Sequence, residues 1–184
     1  MDTVTEAILN RSSEPRLKAP APSGSALELA LACAARAPDH ALLRPWRYLV
    51  VEGEGLEELG RLFESSAPED ATDAAREKLR RMPLRAPMII AAIASPVPHP
   101  KVPALEQCYS TAAGAAYLVL ALQAEGYGAM WRTGSVAESP VVARGLGLAE
   151  HETIVGFIYT GTVADDKPAV PRPGVSEFSS RWPA

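Results

Sequence analysis

From Thr111 to Ala124 the chain carries no charged side chain, and Ala112, Ala113, Gly114, Ala115 and Ala116 follow one another as a block of small residues. A helix with that composition cannot turn a solvated face to water over its middle, so a helix over residues 104–125 is expected to be buried on most sides. Small residues also let a neighbouring helix approach closely. The helix is therefore either the core helix of one subunit or a surface between subunits. It is not a membrane span, because Gln123 interrupts a run already well short of the roughly 20 apolar residues a bilayer needs.

The rest of the composition suits a single domain over residues 1–184, with 47% of the residues in the apolar set. That length falls in the usual range of about 100–200 residues for one core. Eighteen Lys and Arg against 22 Asp and Glu leave a formal charge of −4. Such a surface has no general means of neutralising a phosphate backbone, which argues against nucleic acid as the main partner. The first residues carry acids early and lack a basic segment followed by an apolar one, so the expected compartment is the cytoplasm and no membrane partner is expected. Cys33 and Cys108 form no CxxC and no Cys/His cluster. Both are expected as small core residues.

Punctuation by Pro and Gly divides the chain. Residues 2–11 read as a short amphipathic helix, and Ser25 is placed to cap a second helix running toward Arg36. The Ala37-Pro38 pair breaks that helix and presents Asp39 and His40 on a loop, since the residue before proline is pushed out of the helical region. Residues 48–52 and 88–94 read as buried strands, residues 56–65 and 70–81 as surface helices, residues 140–146 as a short helix, and residues 153–162 as a third strand. The Gly-rich stretch after residue 125 reads as a helix cap and turn. The last 20 or so residues are rich in proline and charge. A compact domain has no need of them, so they are expected to reach over a partner.

Strand, then Gly53-Glu54-Gly55, invites a dinucleotide-binding reading. The third glycine is replaced by Glu58, and Glu54, Glu57 and Glu58 would repel a pyrophosphate, so that reading is rejected. No nucleophile elbow, zinc-protease helix motif or P-loop is present, and His99 has no ligand partner at metal spacing. What remains is a distributed set of polar and cationic groups at loop positions: Arg11, Ser12, Ser13 and Arg16; Arg36, Asp39, His40 and Arg44; Trp131, Arg132 and Thr133. Taken singly, each reads as well as an ordinary solvated or ion-paired side chain.

Taken in order, these segments carry a resemblance. They are the run from Ala7 to Ser13, Arg36-Ala37-Pro38-Asp39-His40 with Pro45-Trp46 five residues beyond, Arg85-Ala86-Pro87, and Lys101-Val102-Pro103 with Glu106-Gln107. Trp131-Arg132-Thr133-Gly134, then Glu138-Ser139-Pro140-Val141, and the run from Ile154 to Thr162 complete the series. The chain resembles the nitroreductase-like FMN flavoproteins, and in particular their short bacterial NAD(P)H nitroreductase members, over nearly its whole length. That resemblance implies an α+β fold with a central mixed sheet flanked by helices. It also implies an intertwined homodimer with exchanged C-terminal arms and FMN bound at the interface. NADH or NADPH would be the electron donor in a ping-pong cycle, and a nitroaromatic, a quinone or another small molecule the acceptor. The flavin would carry the redox chemistry and no side chain is named as catalytic.

Carried over by position, Arg11, Ser12 and Ser13 are implied at the FMN phosphate and ribityl chain, where a guanidinium offers a planar, permanently charged donor set. Arg36 and His40 are implied as flavin contacts, His40 from the opposite subunit. Trp131, Arg132 and Thr133 are implied as a wall that offers donors to the ring edge, and Arg172 as a further cation on the phosphate. Ala121, Leu122, Gln123, Ala124, Glu125 and Gly126 correspond to the stretch assigned to the nicotinamide nucleotide. Ser12 stands where the family has a second arginine, which removes one positive charge. The alternative expectation, a non-catalytic FMN-binding protein for storage, sensing or partner binding, rests on that loss.

Overall fold

The computed structural model describes residues 3–165, 167, 168 and 170–183. Helix α1 (Thr3–Asn10) leads through the two-residue strand β1 (Leu17–Lys18) to α2 (Gly24–Ala34). Strand β2 (Trp46–Glu52) is followed by α3 (Glu54–Ser65) and α4 (Asp73–Arg80), then by β3 (Met88–Ala94). The long helix α5 (Ala104–Ala124) precedes β4 (Gly128–Arg132), the short helices α6 (Ser135–Glu138) and α7 (Pro140–Gly145), and β5 (Thr153–Val163).

Strand β3 is the spine because its seven residues are all apolar, and a strand buried on both faces needs no alternation. Its side chains still alternate in direction. Ile90 and Ala92 meet Ala34 of α2 and Leu118 and Leu122 of α5 on one face, while Ile89 and Ala91 join Phe63 of α3, Val142 of α7 and Phe157 of β5 on the other. Phe63 and Phe157 pack edge to face at 5.1 Å, a favoured aromatic geometry. Strand β3 pairs with β2 on one side and β5 on the other, and β5 also pairs with β1 and β4.

Every one of these pairings is antiparallel among the described residues, which corrects the expected mixed sheet. The reason lies in the connections. The helical excursion α3–α4 leaves from Glu52 and returns at Met88, which is its register partner, so the returning strand must run the other way. An antiparallel sheet of this kind also closes the dinucleotide reading of Gly53 and Gly55, which needs parallel strands.

The small-residue block does what close approach requires. A Cβ on Gly114 would lie 2.6 Å from the Tyr48 hydroxyl and 2.8 Å from the Ala34 carbonyl, so α2 and α5 pack backbone against backbone there. Only one side of α5 is covered, however, and Leu105, Tyr109 and Tyr117 on its other side stay exposed. Among the described residues no helix is long and apolar enough to cross a membrane.

Several local expectations are corrected. The cap residue of α2 is Ser23, two residues before the expected Ser25, and its side chain makes no cap hydrogen bond. Helix α4 starts at Asp73 instead of residue 70 because Thr72 Oγ1 accepts the Ala75 N–H at 3.3 Å. The expected turn after residue 125 contains the strand β4, whose pairing with β5 overrides the glycines of its sequence. Cys33 and Cys108 are half-buried, not core residues. The start of α1 at Asp2 lies outside the described residues.

Candidate functional site

The segment after α1 and the segment after β5 meet. Arg172 donates from Nη2 to the Arg11 carbonyl at 2.5 Å, and Lys167 donates from Nζ to the Ser13 carbonyl. The Lys167 ammonium also pairs with Glu14 Oε1 at 3.0 Å, and that same oxygen accepts the Ser12 hydroxyl at 2.5 Å. A cavity of about 400 Å³ opens between them, lined by Leu9, Asn10, Ser12, Glu14, Lys167 and Arg172 among others. The Arg11 guanidinium makes no ion pair among the described residues. The Lys167 and Arg172 cations and the Ser12 hydroxyl thus line one cleft beside the carboxylates Glu14 and Asp165, and the three donors suit a phosphate.

The backbone N–H of Glu14 donates to the Ala129 carbonyl at 3.0 Å, which ties this cleft to β4 and so to Trp131, Arg132 and Thr133 at its end. Trp131 is half-buried, and its indole N–H donates to the Val155 carbonyl at 3.3 Å. It fits only because residue 156 is glycine, where a Cβ would stand 2.0 Å from Trp131 Nε1. Arg132 lies on the opposite face, its guanidinium carbon 5.3 Å from the centre of the Tyr159 ring. Burial pushes the Tyr159 phenol up to about 12, against the pull of Arg132 and Arg85. The Arg132 Nε is buried without a hydrogen-bond partner among the described residues, an orphan donor of the kind that ligand sites leave when described without their ligand. Thr133 is exposed beside it.

His40 and Arg36 sit elsewhere. His40 Nδ1 contacts Glu106 Oε1 at 2.7 Å, in the first turn of α5, whereas Gln123, in the last turn of α5, reaches the Asn10 carbonyl beside the cleft at 3.5 Å. Seventeen residues of helix separate Glu106 from Gln123, about 25 Å at 1.5 Å per residue. Within one chain His40 and the cationic cleft are therefore at opposite ends of α5. Arg36 lines an apolar groove with Ile8, Cys33, Tyr117 and Ala121.

The loop that carries His40 is unusual in its backbone. Ala41, Leu42 and Arg44 have φ of 65°, 54° and 50°, a left-handed conformation that costs a non-glycine residue roughly 1–2 kcal/mol. Asp39 holds it in place, accepting the Leu43 N–H at 3.2 Å and the Arg44 N–H at 2.7 Å. Strain of this sort concentrates where a side chain must be presented in one orientation.

The stretch from Ala121 to Gly126 closes α5, with Glu125 as its cap and Gly126 at φ 86°. Leu122 is 0% exposed and fills the core, so its side chain is not available to a nucleotide. Ala121 and Ala124 line the apolar groove, and Gln123 and Gly126 line a cavity of about 240 Å³ together with Ser12 and Glu14. Sequence reasoning missed Lys167 and Glu14. No local motif marks them, and only the antiparallel return of β5 beside β1 brings residue 167 to residue 14.

Helices on both faces of an antiparallel sheet, with a cleft lined by Lys167 and Arg172 where the N-terminal segment meets the chain leaving β5, define an α+β protein. The profile of the nitroreductase family matches residues 8–162, and the chain belongs to that family. It is 41% identical over 158 residues to the Escherichia coli (strain K12) protein named "Putative NAD(P)H nitroreductase YdjA", covering 85% of this chain and 86% of that one. The crystal structure of a nitroreductase-like family protein from Bacillus cereus superposes with a TM-score of 0.88 at 22% identity, over 100% of this chain and 98% of the other. A structure from Desulfovibrio desulfuricans titled as a "putative nitroreductase in complex with fmn" gives a TM-score of 0.76 at 19% identity, over 100% and 99% of the two chains.

Proposed function

We propose that this chain is an FMN-dependent oxidoreductase that takes hydride from NADH or NADPH and passes it to a nitroaromatic, a quinone or another small acceptor. The observation that carries the reading is the convergence of Ser12, Lys167 and Arg172 on one cleft, against the backbone of Arg11 and Ser13, that is fastened to β4. A phosphomonoester offers the dianionic acceptor oxygens those donors match. Bound there, FMN would supply the two-electron centre that alternates between nicotinamide and acceptor in a ping-pong cycle.

The protein's part is to bind, orient and shield. Arg11 and Arg172 hold charge at the phosphate end, while Ser12 and Ser13 offer hydroxyls toward it. Trp131 forms an apolar wall held by its bond to Val155, and Arg132 and Thr133 offer donors beyond it. Positive charge at a ring edge favours the electron-rich state of the ring, which is the electrostatic contribution asked of Arg132. The nucleotide would lie along residues 121–126, through Gln123, Glu125 and the backbone at Gly126.

The enzyme works as a homodimer in this reading. Its support is the separation of His40 from the cleft along α5, together with the uncovered Leu105, Tyr109 and Tyr117 on that helix. A second copy laid against α5 brings His40 of the partner subunit to the first copy's cleft, and gives the chain beyond β5 a surface to cover. The cytoplasm is the proposed compartment. The test is retention of flavin: the purified protein, given FMN and desalted, keeps the flavin absorbance and has the light-scattering mass of a dimer. Loss of all flavin on desalting contradicts the reading.

A further inference from the structure

The cationic cleft is lined by two carboxylates, Glu14 and Asp165. Glu14 is only 16% exposed, and its Oε1 accepts both the Ser12 hydroxyl and the Lys167 ammonium, itself 22% exposed. Asp165 is more than half exposed and already paired with Arg16 at 3.4 Å, which leaves Glu14 as the enclosed carboxylate. The lining cations left to a ligand are Lys167 and Arg172, and Glu14 cancels one of their two charges. One positive charge remains against the charge of −1.5 to −2 that a phosphomonoester carries near neutral pH.

We infer that Glu14 is the residue that sets how tightly this chain holds the phosphate of its flavin, acting as a built-in counter-ion inside the phosphate cleft. The inference rests on the flavin reading above and extends it to a residue with an opposing charge. Two physical effects meet at Glu14. It fixes Lys167 and Ser12 before any ligand arrives, which saves the cost of ordering a long side chain on binding. It also repels the incoming anion across a partly buried cleft, where a like charge at close range is screened less than at an open surface. The second effect is the larger, because Lys167 is also bonded to the Ser13 carbonyl and its position does not rest on Glu14 alone. The outcome is a phosphate held less tightly than the cleft's cations alone would hold it.

Substitution Glu14→Gln separates these effects, since the amide oxygen still accepts from Ser12 and Lys167 but carries no charge. Flavin-free protein, wild type and E14Q, is titrated with FMN and with riboflavin, following the change in flavin fluorescence. The expected result is that E14Q binds FMN roughly tenfold more tightly, with a steeper loss of affinity as salt is raised, while riboflavin affinity stays within about twofold. Unchanged or weaker FMN binding by E14Q, or a gain that riboflavin shares equally, overturns the inference and leaves the flavin reading standing. A wild-type chain that binds neither flavin overturns both. Should E14Q fail to fold, Glu14→Ala, which removes the acceptor with the charge, is expected to tighten FMN binding by a smaller factor, and unchanged or weaker FMN binding by it overturns the inference.

Discussion

All seven residues of β3 are buried, whereas α1 and the segment from Val170 to Pro183 bury none. Both regions are rich in apolar side chains: Ile89, Ile90 and Ile93 in the strand, and Val4, Ile8, Leu9, Phe178 and Trp182 at the two ends. In the strand those side chains are covered by α2 and α5 on one face and by α3 and α7 on the other, all from the same chain. At the ends they find no such cover, and Trp182 is 94% exposed. One chain is thus sufficient for its core and insufficient for its perimeter. Arg11, Ser12, His40 and Arg172 belong to the perimeter, and in the proposed dimer one chain would assemble only part of the site.

The comparison is tested hardest in the strand. Ile90→Ala removes a fully buried side chain between two helices and is expected to cost about 3 kcal/mol of unfolding free energy by urea denaturation. A loss below about 1 kcal/mol would mean that the core is not as tightly specified as its burial implies.

A smaller effect is expected where the core meets its border. Arg47 of β2 donates from Nε and Nη2 to the two oxygens of Glu152 at 2.7 and 2.6 Å, and Glu152 is 7% exposed. The hydrogen bond from Arg47 leads in holding the Glu152 carboxyl down at about 2, against its usual value of 4.5. A depressed carboxylate stabilises the fold above its unfolded value and loses that contribution as pH falls through the folded one. The wild type should therefore lose stability between about pH 4.5 and pH 2, by about 2 kcal/mol after allowance for the partly open Arg47 side. Glu152→Gln should lack that contribution at neutral pH and show a flatter acid limb in the same range. An unchanged acid limb would remove the pair from the account.

The smallest effect on the folded chain, and the most telling for the perimeter, is expected from Tyr117→Glu on the uncovered side of α5. The substitution is expected to change the stability of the single chain by about 0.5 kcal/mol or less, as exposed substitutions do. It should nevertheless convert the dimer to a monomer by light scattering. A variant that stays dimeric would move the interface away from α5.

The same division explains what could be read in the sequence. Strand β3 was legible to the residue, because a continuous apolar run between Pro87 and Ser95-Pro96 has few other uses, and α5 was legible to within one residue at its end. Strand β4 was not, since its Gly-Tyr-Gly start carries turn chemistry and its strand state comes from β5, some 30 residues later. In the candidate site, Arg11 and Arg172 could be named from a resemblance, and the structure places them in contact. Glu14 and Lys167 could not be named, because their pairing spans the whole chain and depends on the return of β5 beside β1. The distance between His40 and the cleft is equally absent from the sequence. It follows only from the length of α5 and from which of its ends each residue meets.

The central claim is that the cleft holds a flavin that nicotinamide can reduce, and anaerobic addition of NADH, and separately NADPH, to the FMN-loaded protein tests it most directly. At least one nucleotide is expected to bleach the flavin absorbance, and a quinone to restore it. Flavin bands that persist under both nucleotides would contradict the oxidoreductase reading and leave a protein that binds FMN without turning it over.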